Sequence, residues 1–122
     1  MEEARRDLET YARIWKEHGV GYWAVELEGT FVGVAGIRPV ELAGRAVWNV
    51  FYRFFPTVWG RGYALEAVRE AVAVAESVAV ERPIVALTLP ANTASIRVAE
   101  RAGLVRRPEL DRDGHVAFAR GW

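Results

Sequence analysis

The chain has 122 residues, enough for one domain with one core. Its hydrophobic fraction of 52% is too high for a disordered chain, and 16 basic against 16 acidic residues leave no net field to steer nucleic acid or a membrane surface. The absence of cysteine excludes disulfides, thiolate metal sites and cysteine nucleophiles, and no apolar run nears the roughly 20 residues that span a bilayer.

The opening Met1-Glu2-Glu3-Ala4-Arg5-Arg6 leads into an amphipathic pattern rather than a secretory signal, so a cytoplasmic protein is expected. Residues Glu2 to His18 read as a helix, because Leu8, Tyr11, Ala12 and Trp15 recur at three and four residues and form one apolar face. Gly19 and Gly21 stop it. Gly21 to Glu28 reads as a strand, Glu28-Gly29-Thr30 as a hairpin turn, and Phe31 to Arg38 as the returning strand, weakened beyond that point by Pro39. Ala43-Gly44-Arg45 is a second turn, and Ala46 to Phe55 a third strand that Pro56 ends.

Ala64 to Val80 is the strongest helical pattern, with Leu65, Val68, Ala71, Val72 and Ala75 as its buried stripe. Its valines lower intrinsic propensity, so packing has to hold it. Glu81-Arg82-Pro83 breaks it. The apolar run Ile84 to Leu89, bounded by prolines, reads as a strand covered on both faces. Asn92 is an N-cap for a helix over Thr93 to Arg101, with Gly103 as its C′ residue. Leu104 to Arg107 and His115 to Arg120 read as two last strands joined around Asp113-Gly114. The order predicts a single α+β domain over residues 1–122, with a mixed, mostly antiparallel sheet and helices on both faces.

Val58-Trp59-Gly60-Arg61-Gly62-Tyr63-Ala64 joins the third strand to the long helix. Glycines at such a junction let the backbone pass close to a ligand, and the first helix amides are free to bind an anion with help from the helix dipole. A tight turn that caps a helix and binds nothing has the same residues. Further on stands Pro90-Ala91-Asn92-Thr93-Ala94-Ser95-Ile96-Arg97-Val98-Ala99-Glu100-Arg101-Ala102-Gly103-Leu104. Together the two segments resemble the GNAT superfamily of acetyl-CoA-dependent N-acetyltransferases, most closely the branch with the ribosomal-protein N-terminal acetyltransferases. The family's pyrophosphate loop reads Arg/Gln-x-x-Gly-x-Gly/Ala. Gly62 and Ala64 fit it, and Trp59 takes the Arg/Gln position, as in that branch's Trp-Gly-x-Gly-Tyr-Ala. Asn92-x-x-Ser95 matches the family's next acetyl-CoA motif, and Ala102-Gly103-Leu104 its usual ending. The resemblance runs from about Gly21 to the C-terminus.

The resemblance implies the GNAT fold and transfer of an acetyl group from acetyl-CoA, as cosubstrate, to a primary amine: a protein N-terminus, an amino acid or another small amine. It implies that amides around Gly60, Arg61, Gly62, Tyr63 and Ala64 hold the pyrophosphate, with the Arg61 side chain adding charge or simply solvated. Backbone groups near Phe54 would pair with the pantetheine arm, which enters between the third strand and the Ile84 strand. Trp59 would pack on the cofactor or on the loop corner. Asn92 would contact the pantetheine arm, cap its helix, or both. Ser95 would place its hydroxyl near the thioester sulfur as the catalytic group, or bond locally as a first-turn serine.

The tyrosine that serves as general acid in many relatives falls where this chain has Ala99, and a common catalytic glutamate falls where it has Asn49, which takes no proton at neutral pH. Glu109, Asp111, Asp113 and His115 near the final hairpin are the remaining candidates for a base, beside water. Imidazole has the right intrinsic basicity, although a lone histidine more often packs or solvates. Asp111 and Asp113 near Gly114 more often make a turn. The acceptor pocket is expected between the N-terminal helix and the final hairpin, with some of Trp15, Tyr22, Trp23, Trp48, Phe51 and Tyr52 lining it and most in the core.

Family members usually place a strand and a helix ahead of the element that starts here at Glu2. Their absence predicts either a truncated reading frame or a homodimer in which the Gly21 to Glu28 edge strand is covered by a second copy. No metal site is expected, since no His/Asp/Glu cluster has ligand spacing, and Arg106-Arg107 is too short a basic run for nucleic acid. Two rival readings remain at this point: a non-catalytic acyl-CoA-binding or degenerate domain, and an α/β domain that takes another phosphorylated ligand at Gly60 to Gly62.

Overall fold

Two turns of one kind start the sheet. In Glu28-Gly29 (φ 52° and 82°) and in Ala43-Gly44 (φ 49° and 78°) both residues have positive φ, as a two-residue type I′ hairpin loop requires. The first joins β1 (Tyr22–Leu27) to β2 (Thr30–Leu42), and the second joins β2 to β3 (Arg45–Phe54). The computed structural model describes residues 22–79 and 81–122, so the helix expected over Glu2 to His18 lies outside them.

β2 runs on through Pro39, where the sequence predicts an end at Arg38. Pro39 stands opposite Trp48, whose amide donates to the Pro83 carbonyl at 2.7 Å, on the far side of β3. The pair therefore exchanges no ladder bond, and the missing N–H of Pro39 points away from β3. On that side β1 pairs only as far as Tyr22 with Gly36, so the proline interrupts no described ladder. The two strands approach closely at Gly33. A Cβ there would collide with the Arg53 carbonyl oxygen and lie 2.8 Å from Phe54 Cδ1.

After β3 come a 3-10 turn at Pro56–Val58, the glycine loop, α1 (Tyr63–Val78), β4 (Ile84–Thr88), α2 (Thr93–Arg101) and β5 (Val105–Arg106). A second 3-10 turn at Pro108–Leu110 leads to β6 (Val116–Arg120). The strand order is β1-β2-β3-β4-β6-β5, antiparallel except for the parallel pair β3–β4. This is the expected α+β architecture with a mixed, mostly antiparallel sheet, and β1 is its outermost described strand.

Alternation along the strands sorts the core. Ile37, Trp48, Val50, Ala86 and Phe118 cluster with Val68, Ala71, Val72 and Ala75 of α1 and Ala99 of α2. Ala67 joins the buried stripe of α1 where Leu65 was expected, and Leu65 is half-buried. Leu42, Val47, Val85, Ala117 and Ala119 form a second cluster with Leu110 on the opposite face. Both described helices thus cover one face.

α2 is closed at both ends by its own chemistry. Asn92 Oδ1 accepts from the Ser95 amide at 3.0 Å, as an N-cap does. At the other end Gly103 (φ 92°) lets its amide and that of Leu104 reach the carbonyls of Glu100 and Ala99, a Schellman ending. The final hairpin is held by a clamp. The Arg106 guanidinium binds both Asp111 oxygens, one at 2.6 Å, and Asp111 Oδ1 also accepts from the Ala117 amide at 2.9 Å.

Gly33→Ala is expected to destabilise the fold by about 1–3 kcal/mol, because the new methyl meets backbone that cannot move aside. A denaturant titration should show a larger loss than for Gly29→Ala, whose Cβ meets nothing within 4 Å and adds only positive-φ strain of about 1–2 kcal/mol.

The Arg106 hydrogen bond holds the Asp111 carboxyl below its ordinary value, with help from the Ala117 amide. A carboxyl depressed in the folded state adds stability above its unfolded pKa and loses it as pH falls through the folded value. Thermal melts should therefore show a modest deficit for Asp111→Asn at neutral pH that shrinks in acid. A deficit constant with pH would overturn this account.

Candidate functional site

β3 and β4 pair over two rungs, Trp48 with Ile84 and Asn49 with Val85. The Asn49 side-chain amide donates to the Val85 carbonyl at 3.3 Å at the last of them. Beyond it the strands part, β3 following β2 as far as Phe54 and β4 following β6 as far as Thr88. Backbone groups of Val50, Tyr52 and Phe54 share the direction of the Trp48 amide and so face the gap. The Phe54 carbonyl there accepts the Trp59 indole N–H at 2.8 Å.

Two cavities open on the two sides of this gap. The smaller, about 330 Å³, is bounded by β3, the glycine loop and α2. Gly62 is the N-cap of α1 in the left-handed conformation (φ 83°, ψ 0°) and brings no side chain to cap the helix. The Glu66 amide bonds to the Gly62 carbonyl, so by helix geometry the amides ahead of Glu66 have no intrahelical acceptor. A Cβ at Gly60 or Gly62 would meet no protein atom within 4 Å, so the space before the loop is open. Among the described residues Arg53, Arg97 and Arg101 line the cavity and no aspartate or glutamate does. Open amides, the positive end of a helix dipole and three guanidiniums make this a site for an anion.

The larger cavity, about 810 Å³, is bounded by β2, β3, β4 and the final hairpin, with Arg38, Asn49, Phe51, Leu87 and His115 in its lining. Tyr52, Arg53, Asn92 and Ser95 belong to both cavities. The Tyr52 hydroxyl donates to the Ser95 carbonyl at 2.8 Å and accepts from Ser95 Oγ at 2.9 Å. Burial pushes the Tyr52 pKa up and the Ser95 hydrogen bond opposes this only in part, so the phenol stays protonated at neutral pH.

Of the residues singled out in the sequence, Phe54, Trp59, Gly60, Gly62, Tyr63, Ala64, Asn92 and Ser95 all line the smaller cavity. Arg61 is exposed and outside its lining. Asn92 caps its helix through Oδ1, which leaves its side-chain N–H groups for the shared space. Arg97 and Arg101 line it without having been singled out, and Tyr52, named only among the aromatics for the acceptor pocket, lines both cavities. The first two carry a readable signal, since arginines four apart on a helix share a face. The Tyr52–Ser95 pair carries none, because its members lie 43 residues apart across the gap. Among the described residues no group of three His, Asp or Glu could hold a metal ion, and no described helix is long and apolar enough to cross a membrane.

The chain matches the acetyltransferase (GNAT) domain over residues 1–105. It belongs to the GNAT acetyltransferase family. The uncharacterised protein YkkB of Bacillus subtilis (strain 168) is 37% identical over 91 residues, 73% of this chain, and the chain spans 53% of that protein's length. An acetyltransferase from Agrobacterium tumefaciens str. C58 superposes with a TM-score of 0.74 at 25% identity, over 87% of this chain and 63% of its own. RimL, a ribosomal L7/L12 α-N-protein acetyltransferase solved in complex with coenzyme A, shares the fold with a TM-score of 0.77 at 16% identity, over 98% of this chain and 71% of its own. The six-stranded sheet with its one parallel pair is thus the GNAT fold.

In this GNAT domain, replacing Arg97 and Arg101 together by alanine should weaken binding of a phosphate-bearing ligand at the smaller cavity by about tenfold or more, one charge-assisted hydrogen bond being worth about 1.5–3 kcal/mol. Stability should hold within about 0.5 kcal/mol, since both side chains are exposed. Titration calorimetry beside a thermal melt checks both, and unchanged affinity would remove these arginines from the site.

Proposed function

We propose that the chain is an N-acetyltransferase that moves the acetyl group of acetyl-CoA to a primary amine by direct transfer in a ternary complex. The observation that carries this reading is the meeting of two cavities, one cationic and glycine-lined, at Ser95 through the gap between β3 and β4. The amides ahead of Glu66, with Arg97 and Arg101 near them, would hold the phosphates. The open edge of β3 at Val50, Tyr52 and Phe54 would take the pantetheine arm as an added strand. The acceptor amine, of a protein N-terminus, an amino acid or another small molecule, would enter through the larger cavity.

In the transfer, the amine nitrogen attacks the thioester carbonyl carbon, the C–N bond forms and the C–S bond breaks. One proton leaves the nitrogen and one reaches the sulfur. Ser95 Oγ–H stands at the shared end of both cavities and would donate to the leaving sulfur by turning its one proton away from the Tyr52 oxygen, to which it donates at rest. Tyr52 holds that hydroxyl in place by accepting from it and stays neutral while it does so.

A second reading, an acyl-CoA-binding domain without turnover, draws on two observations. Asn49 stands at the position of a common catalytic glutamate and is bonded to Val85, and Ala99 is fully buried where relatives carry a tyrosine. Turnover separates the two. Titration calorimetry should show selective binding of acetyl-CoA over ATP and dephospho-coenzyme A, and an amine panel should show acetylation. Ser95→Ala is expected to lower kcat about 10²-fold while acetyl-CoA affinity stays within about threefold. Binding without turnover on any amine would establish the second reading instead.

A further inference from the structure

One group in the larger cavity is set up as a base. Asp113 (φ 49°) and Gly114 (φ 75°) form a turn closed by two bonds between Arg112 and His115. The His115 amide donates to the Arg112 carbonyl at 2.8 Å, and the Arg112 amide donates back at 3.2 Å. The next residue, Val116, pairs with Thr88, the last residue of β4. His115 therefore stands where β4 ends and the chain turns towards Asn92 and Ser95.

The imidazole is half-buried and lines the larger cavity. Its Nδ1 lies 2.9 Å from the Asp113 carbonyl oxygen. A carbonyl oxygen can only accept, so Nδ1 carries the proton and the neutral ring keeps its lone pair on Nε2. Orientation of one ring nitrogen by a carbonyl is the arrangement that leaves the other free to take a proton.

The remaining acidic candidates do not fill this place. Asp111 is tied to Arg106 and to the Ala117 amide, and Glu109 lies outside the cavity lining. Asp113 lines the cavity, but its side chain is 84% exposed and drawn to Arg112 at 3.7 Å. Glu41 lines it too, but sits opposite Ala46, on the closed side of the Asn49–Val85 rung.

We infer that His115 is the general base of the transfer. This rests on the N-acetyltransferase reading. As the amine nitrogen bonds to the thioester carbon, His115 Nε2 takes a proton from that nitrogen, directly or through one water. The C–S bond breaks and the sulfur takes a proton from Ser95 Oγ–H. The imidazolium then releases its proton to solvent, from which Ser95 is restored, so protons balance over the cycle. Among the described residues the charged groups facing the same cavity are Arg38 and Glu41 of β2, Arg53 of β3, and Arg112 and Asp113 of the hairpin. The base works only when neutral, so kcat/KM rises with pH along an acid limb.

The test uses the 122-residue chain with acetyl-CoA and whichever amine the panel shows it acetylates. His115→Gln should lower kcat/KM about 10²-fold or more, abolish the acid limb and leave acetyl-CoA affinity within about threefold. Added imidazole should restore activity to His115→Ala more than to the wild type. Nitrogen NMR of the wild-type ring should show Nδ1 protonated and Nε2 bare in the neutral form. An acid limb that persists in His115→Gln, or a bare Nδ1, would overturn the assignment of His115 and leave the enzyme reading standing. Acetyl-CoA binding with no turnover would overturn both.

Discussion

The whole site depends on how little of β3 pairs with β4. Two rungs join them, whereas β3 pairs with β2 over ten positions and β4 with β6 over five. Each strand is therefore bound more strongly to its outer neighbour than to its parallel partner, and each follows the twist of its own half of the sheet. Divergence after Asn49 is the result. Asn49 ends the contact by spending its side-chain amide on Val85. A strand edge opened in this way leaves backbone donors and acceptors that need partners, and a ligand with amides of its own can supply them.

Charge is distributed to match. The chain as a whole is neutral, so nothing in its net field attracts an anion. The smaller cavity nonetheless gathers three arginines from two elements and, among the described residues, no carboxylate. Gly62 adds to this by occupying the N-cap of α1 without a capping side chain. An Asp or Asn there would satisfy one of the amides that an anion would otherwise bind. The loop thus keeps the helix end open at some loss of local stability, which the packing of Ala67, Val68, Ala71 and Val72 offsets.

What was legible in the sequence was what depends on neighbours in the chain. The positive-φ turns at Gly29 and Gly44, both ends of α2 and the alternation of β3 follow from short-range rules, and each stands close to where the pattern places it. Pro39 was misread because its effect depends on which side of β2 its nitrogen faces, and that is settled by the Trp48–Pro83 bond, far away in sequence. The glycine loop and the Asn92–Ser95 pair were legible as motifs. Tyr52 was legible only as one of six aromatics of which some would line the acceptor pocket, and its pairing with Ser95 was not, because nothing local distinguishes it from the other aromatics of β3. Expectations placed on Trp15 and His18 fall outside the described residues.

Tyr52 ties β3 to α2. Ala99 is fully buried, in the core cluster that also holds Trp48, Ala86 and Leu104. Tyr52 reaches from β3 across the gap and meets α2 one turn before Ala99, at Ser95. It bonds to both the carbonyl and the hydroxyl of that residue, so Ser95 is held by its main chain as well as its side chain. The Asn49–Val85 bond ties β3 to β4 where the gap begins, and the Tyr52–Ser95 pair ties β3 to α2 farther along. Between these two fastenings the width of the opening is set by the fold itself. The Ser95 hydroxyl is thereby oriented by contacts within the chain alone, with its one proton directed at the Tyr52 oxygen.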